Sequence, residues 1–178
     1  MEFARRMDRF GTGIFSAMAE LKQKETAAGK RVIDLSVGTP NIPPAQHIID
    51  ALAEGARDKA NYVYALGDTE ELQDAAALWY RRRYGVEIDP RTEMTSLLGS
   101  QDGLAHISLT IVNPGDLVLV PDPGYPIFAD GPALAGAELY YMPQRRENGY
   151  LVDLDAIPPD VARKAKFMVV SYPNNPVT

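Results

Sequence analysis

An α/β fold with a largely parallel sheet is what this sequence predicts, and three observations predict it. Apolar runs of strand length lie at Leu117–Val120, Leu139–Met142 and Phe167–Val170. Stretches with helical spacing of apolar residues precede and separate them, the alternation expected of strand–helix–strand units. Leu117–Val120 is unbroken in its apolarity, as when both faces of a sheet are covered. With 178 residues, 46% hydrophobic and 24% charged, the chain suits one domain, or one and part of another, and can bury a core.

The elements follow in order. Thr12 to Ala28 places Ile14, Ala17, Met18 and Leu21 on one helical face, and Gly29 stops it. The apolar segment Val32 to Val37 runs into a turn at Gly38-Thr39-Pro40-Asn41. Pro44 opens a second helix with Ile48, Ile49, Leu52 and Ala56 on one face. Asn61 to Gly67 is an irregular link containing Tyr62 and Tyr64. Asp68 with Glu71 reads as a capping box for a third helix, which carries Leu72, Ala75, Ala76, Trp79 and Tyr80 inward and closes at Gly85. Trp79 is expected in the core. The section up to about Arg91 is a helix-rich layer or arm.

Beyond it the rhythm changes. Met94 to Leu98 is a short strand, Gly99-Ser100 a turn, and Gln101 to Val112 a helix with Leu104, Ile107, Ser108 and Ile111 inward. The three apolar strands come next. The last of them leads into the loop Ser171 to Thr178, where a helix packing back would be expected, so the chain reads as part of a longer polypeptide.

Composition narrows the function. Lys and Arg number 18 against 24 Asp and Glu, a formal charge of −6, and no basic block exceeds Arg81-Arg82-Arg83, so nucleic acid is not an expected partner. The absence of cysteine excludes disulfides, thiolate metal sites and a cysteine nucleophile, and points to the cytoplasm. The longest apolar run, Ala75 to Tyr80, is six residues, too short to span a bilayer. The N-terminus lacks the apolar stretch of a secretory signal. His47 and His106 are too few for a metal cluster and read as structural. Patterns for nucleotide loops and hydrolase elbows are missing.

Three segments carry chemistry, each just past a strand, where α/β folds gather ligand contacts. Leu97-Leu98-Gly99-Ser100-Gln101-Asp102-Gly103 is a strand–turn–helix whose free amides and dipole suit a phosphate, although the same residues also describe an ordinary serine cap. Asp102 would repel an anion unless it points away. Pro121-Asp122-Pro123-Gly124-Tyr125-Pro126 holds Tyr125 between prolines, either as a stacking surface or as a core tyrosine. Ser171-Tyr172-Pro173-Asn174-Asn175-Pro176 is a turn that could also present an amide.

In this order, Gly99-Ser100-Gln101-Asp102-Gly103-Leu104, Asp122-Pro123-Gly124-Tyr125-Pro126 and Tyr172-Pro173-Asn174-Asn175-Pro176 resemble the signatures of class I/II aminotransferases, pyridoxal-phosphate enzymes of fold type I. Ser36-Val37-Gly38-Thr39-Pro40 and the spacing of Tyr62, Gly67 and Leu72 are similar to that family's earlier landmarks, so the resemblance covers nearly the whole chain. The wording around Gly99 and Tyr125 is most similar to LL-diaminopimelate aminotransferase-like members.

The resemblance implies a fold type I transferase with a mostly parallel sheet, present as an incomplete large domain with an N-terminal helical arm. Residues 1–91 would form the arm and part of a small domain, and 92–178 the first part of the cofactor-binding domain. It implies that Ser100 and Gln101 bind the phosphate of pyridoxal 5'-phosphate, that Tyr125 stacks on its ring and that Asn175 donates to its phenolic oxygen. Tyr62 would reach the phosphate of a neighbouring subunit in a homodimer, and the Gly38 backbone would approach the substrate carboxylate. Substrates would be an amino acid and a 2-oxo acid. The Schiff-base lysine, the aspartate facing the pyridine nitrogen and the carboxylate-binding arginine would lie beyond Thr178. No catalytic residue is therefore expected in this chain, and made alone it would be inactive and poorly soluble. A β-lyase or decarboxylase on the same fold, or a non-catalytic ligand-binding module, are the alternatives.

Overall fold

The computed structural model describes every residue except Met1, Thr12, Ser36, Val37, Thr39 and Thr178. The chain forms two compact units, one of Met1–Ala17 with Leu97–Thr178 and the other of Met18–Ser96.

The first unit contains the sheet. Strand β1 (Leu117–Asp122) lies between β2 (Glu138–Pro143) and β3 (Ala165–Met168), and both pairings are parallel. Val118, Leu119, Val120 and Pro121 are buried, the covered central strand that the apolar run foretells. Val112, Val118, Val120, Ala135 and Ala137 form the core, with Ala129, Leu139, Phe167 and Val169 packed against it. Helix α4 (Ser100–Ile111) precedes β1, α5 (Ile127–Leu134) joins β1 to β2, and α6 (Pro159–Lys164) leads into β3. Near the N-terminus, a 3-10 turn over Arg5–Arg9 is pinned to the end of α5. The Arg6 guanidinium donates to the Leu134 carbonyl at 3.2 Å and that of Arg9 to the Ala137 carbonyl at 3.1 Å, cations on carbonyls at a helix end.

The second unit is helical. Most of α1 (Ile14–Ala27) belongs to it, followed by α2 (Gln46–Arg57) and α3 (Glu70–Tyr84). Gly29 and Gly85 hold positive φ of 76° and 69°, the left-handed stops expected after helices. Arg91 donates to Asp74 at 3.0 Å and also to Gln73, holding the segment after α3 against that helix. Among the described residues, no helix is long and apolar enough to cross a membrane.

Several expectations need correction. Met94–Leu98 is not a strand: the Ser96 N–H donates to the Asp68 carboxylate at 2.9 Å and the Leu98 N–H to that of Asp102 at 3.2 Å, so these amides serve side chains rather than a neighbouring strand. Asp68 is therefore not the cap of α3. Thr69 is, its hydroxyl accepting from Leu72 N–H at 3.3 Å. Helix α2 begins at Gln46, two residues after Pro44, because Ala45 is still extended. The last strand starts two residues early, at Ala165, where a register shift lets Leu117 and Val118 pair with Ala165 and Phe167.

Helix α5 is not among the elements the sequence pattern picks out, and it holds Gly131 and Pro132 in its interior, with Pro132 buried. On α4 only Ser108 of the expected inward set is buried, and Leu104, Ile107 and Ile111 stay partly exposed. The apolar faces of α1, α2 and α3 are likewise exposed. Trp79 is not in the core: it is half exposed and meets Tyr80 and Tyr84 edge to face at 5.4 and 5.3 Å. Of the Val32–Val37 segment and the turn after it, Ser36, Val37 and Thr39 lie outside the described residues, and residues 32–35 are irregular.

Candidate functional site

The start of α4 leaves backbone donors unpaired. Gly99 takes φ 84° and ψ 158°, a conformation essentially reserved for glycine, and turns the chain sharply into Ser100. No side chain caps the helix, so the amides of Ser100 and Gln101 have no internal acceptor, whereas the Asp102 N–H donates to the Gly99 carbonyl at 3.2 Å. Asp102, in the first turn, is held by its neighbours. One carboxylate oxygen accepts from Leu98 N–H at 3.2 Å and the other lies 2.7 Å from Nδ1 of His106 one turn along, so both are engaged locally.

Tyr125 comes to this helix start from the loop after β1. Its hydroxyl donates to Oε1 of Gln101 at 2.9 Å, and its half-buried ring meets Phe128 edge to face at 6.1 Å. The tyrosine is thus neither a core residue nor a free one. Two sequence-predicted residues, Gln101 and Tyr125, are brought into direct contact, with Ser100 beside them at the first helical position.

The loop after β3 arrives at the same end of the sheet. Asn174 is buried there, donating through Nδ2 to the Pro123 carbonyl at 3.0 Å and to Oε1 of Gln144 at 2.6 Å. Asn175 is next along and exposed, leaving its amide available. The peptide bonds preceding Pro123, Pro173 and Pro176 are cis.

Tyr62 and Gly38 belong to the other unit. The Tyr62 ring is exposed and its hydroxyl donates to the Ala56 carbonyl at 2.7 Å. Gly38 is exposed, and a Cβ built there would meet nothing within 4 Å. Two carboxyls depart from the ordinary range. Hydrogen bonds from the Thr92 side chain and the Arg91 backbone hold Asp89 low, and desolvation in the first turn of α5 pushes Asp130 up.

Sequence reasoning missed Asn174 and Gln144. In an Asn-Asn pair nothing local tells which amide turns inward. The available signal for Gln144 was a polar residue placed directly after the apolar strand β2, before a Gly-bearing turn.

Comparison with known proteins identifies the family to which the chain belongs. The family described as aminotransferase class I and II matches residues 30–177. An LL-diaminopimelate aminotransferase of Syntrophobacter fumaroxidans is 48% identical over 164 residues, which are 92% of this chain and 42% of that protein. One from Moorella thermoacetica is 45% identical over 177 residues, 99% of this chain and 45% of the relative. Apo-BacF from Bacillus subtilis superposes with a TM-score of 0.88 at 38% identity, over 99% of this chain and 46% of that one. An aspartate aminotransferase from Rhizobium meliloti shares the fold, with a TM-score of 0.86 at 21% identity, over 99% of this chain and 44% of its own. The chain therefore spans less than half the length of the proteins it matches.

Proposed function

The chain belongs to the class I and II aminotransferases, and from that premise we propose that it supplies the cofactor cup of an enzyme moving an amino group between an amino acid and a 2-oxo acid. The observation that carries the reading is the Tyr125–Gln101 hydrogen bond of 2.9 Å at an uncapped helix start. It puts an aromatic face and an anion-binding terminus in one place, which is what a planar ring bearing a phosphate needs.

Pyridoxal 5'-phosphate fits these residues, and when bound it supplies an electron sink for a substrate losing its α-proton. The amides of Ser100 and Gln101, with the Ser100 hydroxyl, hold the phosphate. Hydrogen bonds to such a charged group contribute about 1.5–3 kcal/mol each. The Tyr125 ring covers the cofactor ring and keeps water from one face. The exposed amide of Asn175 donates to the phenolic oxygen. Tyr62 serves the phosphate site of a second subunit in a homodimer, and the Gly38 backbone faces the substrate carboxylate. Residues 1–91 form the arm and small-domain part, and residues 92–178 begin the large domain. The cytoplasm is the compartment, consistent with a chain that has no cysteine.

Relatives named LL-diaminopimelate aminotransferase make LL-diaminopimelate the first amino donor to try. The full-length protein, supplied with pyridoxal phosphate, is expected to gain a visible absorption band and to convert an amino donor with a 2-oxo acid. Ser100→Ala is expected to weaken cofactor binding about tenfold or more, the equivalent of one charge-assisted hydrogen bond. No band and no conversion with any donor would sink the reading.

A further inference from the structure

The loops carrying Tyr125 and Asn175 are joined by one buried side chain whose role no motif assigns. Asn174 is 1% exposed and donates to the Pro123 carbonyl and to Oε1 of Gln144. Gln144, 5% exposed, follows β2, and its own N–H donates to the Asp122 carbonyl at 2.7 Å. Its Nε2 donates to the Tyr150 carbonyl at 2.9 Å. Backbone carbonyls at the two ends fix both amides. Gln144 must turn its nitrogen to Tyr150, which leaves Oε1 facing Asn174, and Asn174 can satisfy Oε1 and the Pro123 carbonyl only with Nδ2. A second path enters the same loop: Gln144 bridges Val152, whose N–H donates to the Tyr172 hydroxyl at 3.0 Å.

As a stabilising device Asn174 is indifferent. Its Oδ1 is buried with no hydrogen-bond partner among the described residues, and that cost is of the same order as the gain from two neutral hydrogen bonds. What the side chain does supply is fixed geometry between the residue two before Tyr125 and the residue just before Asn175. We propose that Asn174, held by Gln144, is a positioning residue that sets the Tyr125 ring and the Asn175 amide relative to one another for the bound cofactor. This rests on the aminotransferase reading above.

The test uses full-length protein with Asn174→Leu, which keeps the branched shape in a larger side chain and removes the donor, and Gln144→Met, which removes its support. Three quantities are measured: amide hydrogen exchange around residues 124–125 and 174–175 without cofactor, pyridoxal phosphate affinity by equilibrium dialysis, and the pH midpoint of the visible band. Both variants are expected to keep their far-UV circular dichroism, exchange faster in both loops together, bind the cofactor about tenfold more weakly, and shift the midpoint. The double variant should be little worse than either single one, because both remove the same link.

Unchanged affinity and midpoint despite faster exchange would overturn the proposal. Unfolding of both variants would also overturn it, making the link a folding element. A wild-type protein that takes up no pyridoxal phosphate refutes the aminotransferase reading instead. The tether is then judged on exchange alone, standing if both loops open together and falling if they do not.

Discussion

Gly99 shows how much one residue decides at the candidate site. Its φ of 84° and ψ of 158° are closed to other residues at a cost of about 1–3 kcal/mol, and no neighbour crowds the position. The cost of a side chain there is therefore conformational, not steric. Gly99→Ala is expected to lower the denaturation free energy of the full-length protein by about 1–3 kcal/mol. It should also weaken pyridoxal phosphate binding, because the backbone relaxes by moving the amides of Ser100 and Gln101. Urea titration and equilibrium dialysis read the two effects, and an alanine variant unchanged in both would remove the argument for this turn. That a glycine stood before a helix start was legible in the sequence. That Asn174 and not Asn175 turns inward was not, because the choice depends on Gln144 and Pro123, 30 and 51 residues away in the chain.

At the scale of elements, the close approach of α4 and α5 aligns the helix that carries Ser100 with the one that follows Tyr125. Gly131 permits it. A Cβ built there would stand 2.8 Å from the Leu104 carbonyl oxygen and 3.2 Å from Ala105 Cα, backbone atoms that cannot step aside. Alanine would bring about 1 kcal/mol of helix propensity, but overpacking of this kind costs about 1–3 kcal/mol. Gly131→Ala is expected to destabilise the protein on balance and to separate the two helices. Gly103→Ala is the contrast: its Cβ meets only the end of the Leu97 side chain, at 2.5 Å, which can rotate, so it should be near neutral. Denaturant midpoints of the two variants, with their order reversed, would refute the packing argument. Helix stops at Gly29 and Gly85 were readable from the sequence because capping is local. The missing strand at Met94–Leu98 was not, because a strand exists only where a partner takes its hydrogen bonds.

Across the whole molecule, charge and cofactor chemistry give a firm expectation for the 178-residue polypeptide. Its lysines in the sheet-containing unit are Lys164, at the end of α6, and Lys166, whose ammonium lies 4.0 Å from Asp116 at the opening of β1. The loops bearing Tyr125 and Asn175 leave the other ends of the strands. No lysine of that unit stands ready to carry the cofactor covalently or to move a substrate proton. We expect this polypeptide, made alone, to have no transaminase activity with added pyridoxal phosphate, and conversion of an amino donor by it would overturn that. Large apolar side chains such as Leu35, Leu66 and Leu98 are more than nine-tenths exposed, and β2 and β3 present unpaired edges among the described residues. Self-association in size-exclusion chromatography is expected on that account, and a monomer with one cooperative thermal transition would contradict it.

The sequence by itself determined the fold class, the three strands around Leu117, Leu139 and Phe167, and the loops that leave the carboxyl ends of β1 and β3, although the strand it predicted before Gly99 does not form. These follow from short-range chemistry: apolar periodicity, glycine and proline geometry, and free amides at a helix start. Only the tertiary structure decided which strands pair, which asparagine is buried, that Tyr125 rests on Gln101 and that Trp79 lies outside the core. Those outcomes turn on hydrogen-bond acceptors and packing surfaces far apart in sequence, and a residue's own neighbours carry no record of them.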